Sequence, residues 1–73
     1  MLLTDRIRKA VAEYIFEQGI NVTDFYRALD DQIEASFHYE TFRKFQTDRR
    51  AVNGSTLNQI DKFLKRNYEE YQL

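Results

Sequence analysis

The residues best suited to ligand chemistry are the basic side chains of the segment RKFQTDRR, residues 43–50. They are Arg43, Lys44, Arg49 and Arg50. Guanidinium and ammonium groups bind phosphate through charge-assisted hydrogen bonds, and arginine can do so with two parallel bonds. The segment contains a single acidic residue, so it indicates a local anion-binding patch on a chain whose formal net charge is −1.

Few residues could serve catalysis or bind a metal. His38 is the only histidine, cysteine is absent, and Ser36 is too close to His38 in sequence to face it across a cleft as a nucleophile. Asp30, Asp31 and Glu34 lack the ligand spacing and central glycine of a calcium loop. No glycine-rich phosphate loop is present. We therefore expect no enzymatic activity, no cofactor and no metal site.

Length and composition predict one small domain over residues 1–73. With 42% hydrophobic and 15% aromatic residues, the chain is too apolar for a disordered protein. No apolar run approaches the roughly 18 residues of a membrane span, and the N-terminus lacks the apolar region of a signal peptide. We expect a soluble cytoplasmic protein without membrane contact.

Charge is unevenly distributed along the chain. Residues 21–40 contain five acidic residues and one basic residue, whereas residues 41–60 contain four basic residues and one acidic residue. The isoelectric point of about 5.7 argues mildly against a nucleic-acid partner. The basic patch of residues 43–50 argues for one, because a local patch is what meets phosphate.

The elements that must position these residues are helices, because the chain has no proline and only two glycines. Apolar residues recur at helical spacing in four segments. We predict helices over about residues 4–18, from Asn21 or Thr23 to about residue 32, over about residues 36–48, and from Ser55 or Thr56 to about residue 71. Thr4 is the predicted N-cap of the first helix and Gly19 its C-terminal cap. The prediction is a compact all-α domain of four to five helices.

The apolar stripes of these helices predict the core. Its members are Ile7, Val11, Tyr14, Ile15, Val22, Phe25, Tyr26, Leu29, Ile33, Phe37, Phe42, Phe45, Leu57, Ile60, Phe63 and Leu64. Phe16 lies off the stripe of the first helix, which predicts that this helix is buried on more than one side.

The third helix has polar side chains on the face away from Phe42 and Phe45. They are Tyr39, Glu40, Arg43, Lys44 and Thr47. Side chains of these types can reach base edges from a helix in the major groove, and the arginines after the helix could straddle phosphates. The alternative is an ordinary charged face in contact with solvent.

The stretch FHYETFRKFQTDRRAVNGSTLNQIDKFL, residues 37–64, resembles the second half of a phage-repressor-type helix-turn-helix domain of the Cro/C1 or Xre-like family. Phe37, Thr41, Phe42 and Phe45 match the core positions of the family's recognition helix. VTDFYRAL, residues 22–29, resembles the first helix of the motif, which places the motif over about residues 22–48. The connection DDQIEAS is longer than the family's turn, and we expect its carboxylates to point away from DNA.

The resemblance implies a repressor-like fold and a set of DNA contacts. It implies that Tyr39, Glu40 and Lys44 face base edges. The implied contacts to the phosphate backbone are Ser36, His38, Arg43, Thr47, Arg49, Arg50 and Asn53. The implied function is a sequence-specific transcriptional regulator of phage or mobile-element type, which binds double-stranded DNA at a promoter. It would act there without catalysis, either by occluding the promoter, as a repressor does, or by recruitment.

Two expectations concern protein partners. Tyr68, Tyr71 and Leu73 extend the apolar stripe of the last helix and form either a homodimer interface or a surface that packs back on the first helix. The alternative to DNA binding is a protein-interaction module, for example a phage-type inhibitor that binds a host protein through the acidic segment of residues 24–34.

Overall fold

The chain folds into four α-helices within residues 3–71, which are the residues that the computed structural model describes. The helices are α1 (Leu3–Gln18), α2 (Val22–Ile33), α3 (Tyr39–Thr47) and α4 (Gly54–Asn67), and this described part contains no strand. The predicted all-α class is confirmed. α3 packs against both α1 and α2, and α4 packs against the same two helices. No helix among residues 3–71 is long and apolar enough to cross a membrane.

The turn between α1 and α2 follows the predicted local chemistry. Gly19 adopts a left-handed φ of 64°. Its N–H donates to the Phe16 carbonyl, and the N–H of Ile20 donates to the Ile15 carbonyl, each at 3.2 Å. This is the hydrogen-bond pattern of a Schellman cap, so Gly19 is confirmed as the C-terminal cap. Thr4 is not an N-cap, because it lies inside α1.

α2 begins with a capping box. The Asn21 side chain accepts from the N–H of Asp24 at 2.8 Å, and the Asp24 carboxylate accepts from the N–H of Asn21 at 3.4 Å. The helix ends at Ile33, and its C-cap residue Glu34 has a left-handed φ of 59°. The Asp30 carboxylate then accepts from the N–H of Ala35 at 2.9 Å. Asp24 and Asp30 are thus used to begin and end α2.

α3 begins three residues later than predicted, at Tyr39 instead of Ser36. Side chains of α2 and α4 bind the backbone of residues 36 and 37, which is not helical. The hydroxyl of Tyr26 donates to the Phe37 carbonyl at 2.6 Å. The N–H of Ser36 donates to the Gln59 side chain at 2.9 Å. The predicted start is wrong because these tertiary contacts replace the first helical turn.

α4 ends at Asn67, earlier than predicted, and Tyr68 is in an extended conformation. The chain then folds back on the domain. The Tyr68 ring meets the Tyr14 ring edge-on at a centroid distance of 5.5 Å. The Tyr71 hydroxyl donates to Asp61 at 2.6 Å. The prediction of a helix to residue 71 is wrong because these two tyrosines find partners on α1 and α4.

The core is a cluster of aromatic and aliphatic side chains shared by all four helices and the connection before α3. Its buried members are Ile7, Ala10, Val11, Phe25, Leu29, Phe37, Phe42, Phe45, Ile60, Phe63 and Leu64. Phe25 stacks on Phe42 at 5.2 Å and meets Phe63 edge-on at 4.8 Å. The prediction for Phe16 is wrong, because this side chain is 86% exposed.

Candidate nucleic-acid interface

The outer face of α3 is a polar stripe on a helix anchored from the inside. Phe42 and Phe45 are fully buried, and they fix the rotation of the helix. Glu40, Lys44 and Thr47 are exposed and recur at the spacing of a single helical face. Glu40 and Lys44, two of the three predicted base contacts, therefore lie together on the exposed side.

Tyr39, the third predicted base contact, lies at the boundary between α3 and α2. Its hydroxyl accepts a hydrogen bond from the Thr23 hydroxyl at 3.0 Å. Its ring meets the Tyr26 ring edge-on at 5.7 Å. The side chain is half-buried, so in this conformation Tyr39 braces α3 against α2 instead of projecting with Glu40 and Lys44.

Arg43 is held between two carboxylates. Its Nε donates to Glu40, and its Nη1 lies 4.0 Å from the Asp48 carboxylate. The hydrogen bond from Arg43 lowers the pKa of Glu40, and the same bond raises the pKa of Arg43. Two of the three guanidinium nitrogens of Arg43 therefore already face carboxylates of its own chain.

The cations that remain available are Lys44, Arg49 and Arg50, all exposed. Within residues 3–71 none of the three has an acidic group within ion-pair distance. Arg49 has a left-handed φ of 56°, a conformation that costs an L-residue about 1 kcal/mol. The N–H groups of Asp48 and Arg50 both donate to the Lys44 carbonyl, at 3.0 and 3.1 Å. This turn places the two arginines directly beyond the end of α3.

Several predicted phosphate contacts also have roles in the fold. The Thr47 hydroxyl donates to the Arg43 carbonyl at 2.7 Å. The Ser36 hydroxyl lies 3.2 Å from the Gln59 side-chain oxygen. The Asn53 side chain caps α4 by accepting from the N–H of Thr56 at 2.8 Å. His38 is the N-cap residue of α3, is exposed, and makes no side-chain cap bond.

Arg8 of α1 was not predicted as part of the site, yet it positions the end of α3. Its Nε donates to the Phe45 carbonyl at 2.8 Å, and its guanidinium lies 4.5 Å from the centroid of the Phe45 ring. Its Nη2 lies 3.5 Å from the Arg50 carbonyl. In return, the Gln46 side chain donates to the Arg8 carbonyl at 2.9 Å. The sequence signal for Arg8 is limited to Asp5, three residues before it, so sequence patterning could not reveal this role.

The predicted dimer residues contact their own chain. A hydrogen bond to Glu17, together with burial, raises the pKa of Tyr68 to about 12. Burial and the hydrogen bond to Asp61 raise the pKa of Tyr71. Leu73 lies outside the described residues. Of the two alternatives predicted for the C-terminal segment, packing back on the first helix agrees with the contact between Tyr68 and Tyr14 of α1.

Within residues 3–71, no group of three or more histidine, aspartate or glutamate side chains is placed to hold a metal ion. Comparisons with known protein families, with curated proteins and with solved structures find no match to this chain. The resemblance to repressor-type domains therefore depends on the residue pattern of the chain alone.

Proposed function

We propose that this chain is a small sequence-specific transcriptional regulator of phage or mobile-element type that binds double-stranded DNA at a promoter. The observation that carries the proposal is the exposed stripe of α3, followed directly by Arg49 and Arg50 without ion-pair partners in the described part of the chain. The major groove admits an α-helix, and basic residues at its rim neutralise phosphates.

In this proposal the stripe and the turn have different tasks. Lys44 donates to the acceptor edge of a guanine, and Glu40 accepts from the amino group of a cytosine. Arg49, Arg50 and His38 contact phosphates at the two ends of α3. Arg49 has a left-handed conformation that glycine would adopt at a lower cost in backbone strain. An arginine at this position therefore supports a use for its charge.

In this proposal Arg43 exchanges its carboxylate partners for DNA. Glu40 would turn from Arg43 to a base, and Arg43 would then be free to bind a phosphate. Exposed ion pairs are worth at most about 1 kcal/mol, so this exchange is cheap. Arg43 thus links base recognition by Glu40 to backbone binding.

A homodimer would give the DNA-binding surface two-fold symmetry. Dimers of helix-turn-helix domains bind two half-sites separated by about one turn of DNA, and a palindromic site then reflects the two-fold symmetry of the protein. A second copy also doubles the number of phosphate contacts.

The test is a gel shift with DNA from around the protein's own gene, with unrelated DNA as competitor. We expect a shifted band that survives competitor, and we expect Lys44→Ala to reduce the preference for the specific fragment. Lys62→Ala, which removes an exposed lysine of α4, is the matched control and leaves that preference unchanged. Absence of any complex at low salt would contradict the proposal.

The alternative, a protein-binding module that uses acidic residues 24–34, has less support. Two of its carboxylates, Asp24 and Asp30, already accept backbone N–H bonds at the two ends of α2. If DNA binding fails, charge reversal of Asp31 and Glu34 is the variant with which to examine host-protein binding, because both side chains are exposed and lie outside the core.

A further inference from the structure

A second group of cations lies outside the α3 stripe, in a groove between α1 and the turn that follows α3. The groove has a volume of about 630 Å³, which is within the usual range of ligand pockets. Three of its lining residues are basic and one is acidic, although the formal net charge of the whole chain is −1. The lining residues are Asp5, Arg8, Lys9 and Ala12 of α1, Gln46 of α3 and Arg49 of the turn.

The acidic residue of the groove is already paired within α1. The Asp5 carboxylate lies 3.1 Å from Nη1 of Arg8, which is one helical turn further along the chain. These two opposite charges offset each other. The positive charges that remain in the groove are those of Lys9 and Arg49.

Lys9 and Arg49 have no acidic partner of their own. Both side chains are exposed, and within residues 3–71 neither has a carboxylate within ion-pair distance. Asp48, which precedes Arg49, lies instead 4.0 Å from Nη1 of Arg43. Two like charges that line one groove repel each other, and an anion bound between them replaces this repulsion with attraction.

The two walls of the groove are fastened to each other by Arg8. Its Nε donates to the Phe45 carbonyl at 2.8 Å, and its carbonyl accepts from the Gln46 side chain at 2.9 Å. Its Nη2 lies 3.5 Å from the carbonyl of Arg50 in the turn. The backbones that carry the two cations are therefore held in place before a ligand binds, which lowers the entropic cost of binding.

We infer that this groove is a phosphate-binding site, in which Lys9 from α1 and Arg49 from the turn bind one phosphate group between them. Ammonium and guanidinium groups form charged hydrogen bonds with phosphate, and two such groups can bind different oxygens of one phosphate. Lys9 is absent from the DNA contacts that the sequence predicts. In a complex with DNA the group is a backbone phosphate, and in this respect the inference rests on the proposed function. Free phosphate is the other source of the same chemistry.

The first test uses inorganic phosphate and the protein without DNA, at constant ionic strength with chloride as the replaced anion. NMR is expected to show saturable shifts of the Arg49 Nε–H and the Gln46 side-chain signals. We expect Lys9→Ala to weaken this binding by about tenfold, the effect of losing one hydrogen bond from a charged donor. Lys62→Ala, which removes an exposed lysine of α4, is the matched control and leaves the affinity unchanged. Shifts that do not saturate, or equal affinities of Lys9→Ala and wild type, would overturn the inference.

The second test identifies the source of the phosphate by salt titration of DNA affinity, with the fragment from around the protein's own gene. Lys9→Ala is expected to reduce the slope of log affinity against log salt concentration by about 1. It is expected to weaken binding to specific and unrelated DNA equally, because a backbone contact carries no sequence information. An unchanged slope together with saturable binding of inorganic phosphate would overturn the backbone phosphate as the source and assign the groove to a free phosphate ligand.

The two tests together separate this inference from the proposed function. Saturable phosphate binding by a wild type that does not bind DNA would contradict the proposed function and support the groove as a phosphate site. DNA binding by wild type, with no effect of Lys9→Ala in either test, would contradict the inference and leave the proposed function in place.

Discussion

The contact between Arg8 and the end of α3 gives a prediction whose magnitude follows from its geometry. Only 13% of the Arg8 side chain is exposed. Its hydrogen bond to the Phe45 carbonyl joins positions 37 residues apart, so it fastens α1 to α3. A hydrogen bond from a charged donor is worth about 1.5–3 kcal/mol. The cation–π contact with Phe45 adds about 1 kcal/mol.

Arg8→Ala is therefore expected to lower the free energy of unfolding by about 3 kcal/mol. The ion pair with Asp5 contributes little to this figure, because the Asp5 side chain is 53% exposed. Exposed pairs are worth less than about 1 kcal/mol. Asp5→Ala is the matched control, since it removes the ion pair and leaves the bond to Phe45 in place.

The measurement is urea unfolding followed by circular dichroism, with Arg8→Lys as a third variant. Lysine keeps a cation near the Phe45 ring but cannot reproduce the guanidinium geometry, so we expect stability between that of wild type and Arg8→Ala. A loss below about 0.5 kcal/mol for Arg8→Ala, the range of ordinary surface substitutions, would refute the reasoning.

Three further predictions concern the core, a helix cap and a tyrosine. Phe42→Ala is expected to cost about 3–5 kcal/mol in urea unfolding, because the ring is fully buried and stacked on Phe25; near wild-type stability would contradict its central place. Asn53→Ala removes the N-cap of α4 and is expected to lower the melting temperature through a loss of about 1 kcal/mol, whereas Asn53→Asp keeps the cap. The folded state raises the pKa of Tyr71 above its ordinary value of 10.0. The neutral Tyr71 side chain therefore contributes its full stability below pH 10.0, and this contribution is lost as the pH rises through the raised pKa of the folded state. Unfolding measured against pH is expected to show a smaller alkaline loss for Tyr71→Phe than for wild type, and equal losses would contradict this assignment.

The helices and most of the core could be predicted because they depend on local pattern. Phe25, Leu29 and Phe45 lie on apolar stripes whose spacing matches the helical repeat, and all three are fully buried. The cap at Gly19 follows from the tolerance of glycine for positive φ. Asn21 was one of two candidates to begin α2, and it is the N-cap.

The features that could not be predicted depend on contacts between residues distant in sequence. The start of α3 is set by Tyr26 and Gln59, which bind the backbone of the preceding connection from two other helices. The role of Arg8 depends on where α3 ends. Phe16 is exposed although its residue type favours burial, because it lies on the side of α1 opposite to the buried Ile7 and Val11, and no other helix covers that side.

In the candidate site, too, some features follow from local pattern and others depend on contacts between residues distant in sequence. The periodicity of α3 was enough to place Glu40 and Lys44 on the exposed face. It was not enough to show that Tyr39 is bound to Thr23 or that Arg43 is held by two carboxylates. Residue type indicates which side chains could contact DNA, whereas their neighbours in the fold decide which are free to do so.

The most direct test of DNA binding is a salt titration of affinity by fluorescence anisotropy, with a fragment from around the protein's own gene. Each neutralised phosphate contributes about 0.9 to the slope of log affinity against log salt concentration. Arg49→Ala/Arg50→Ala is therefore expected to reduce the slope by about 2, whereas Lys62→Ala/Arg66→Ala, which removes two exposed cations from α4, leaves it unchanged. Equal slopes for wild type and the Arg49→Ala/Arg50→Ala variant, or no salt-dependent binding by wild type, would contradict the account.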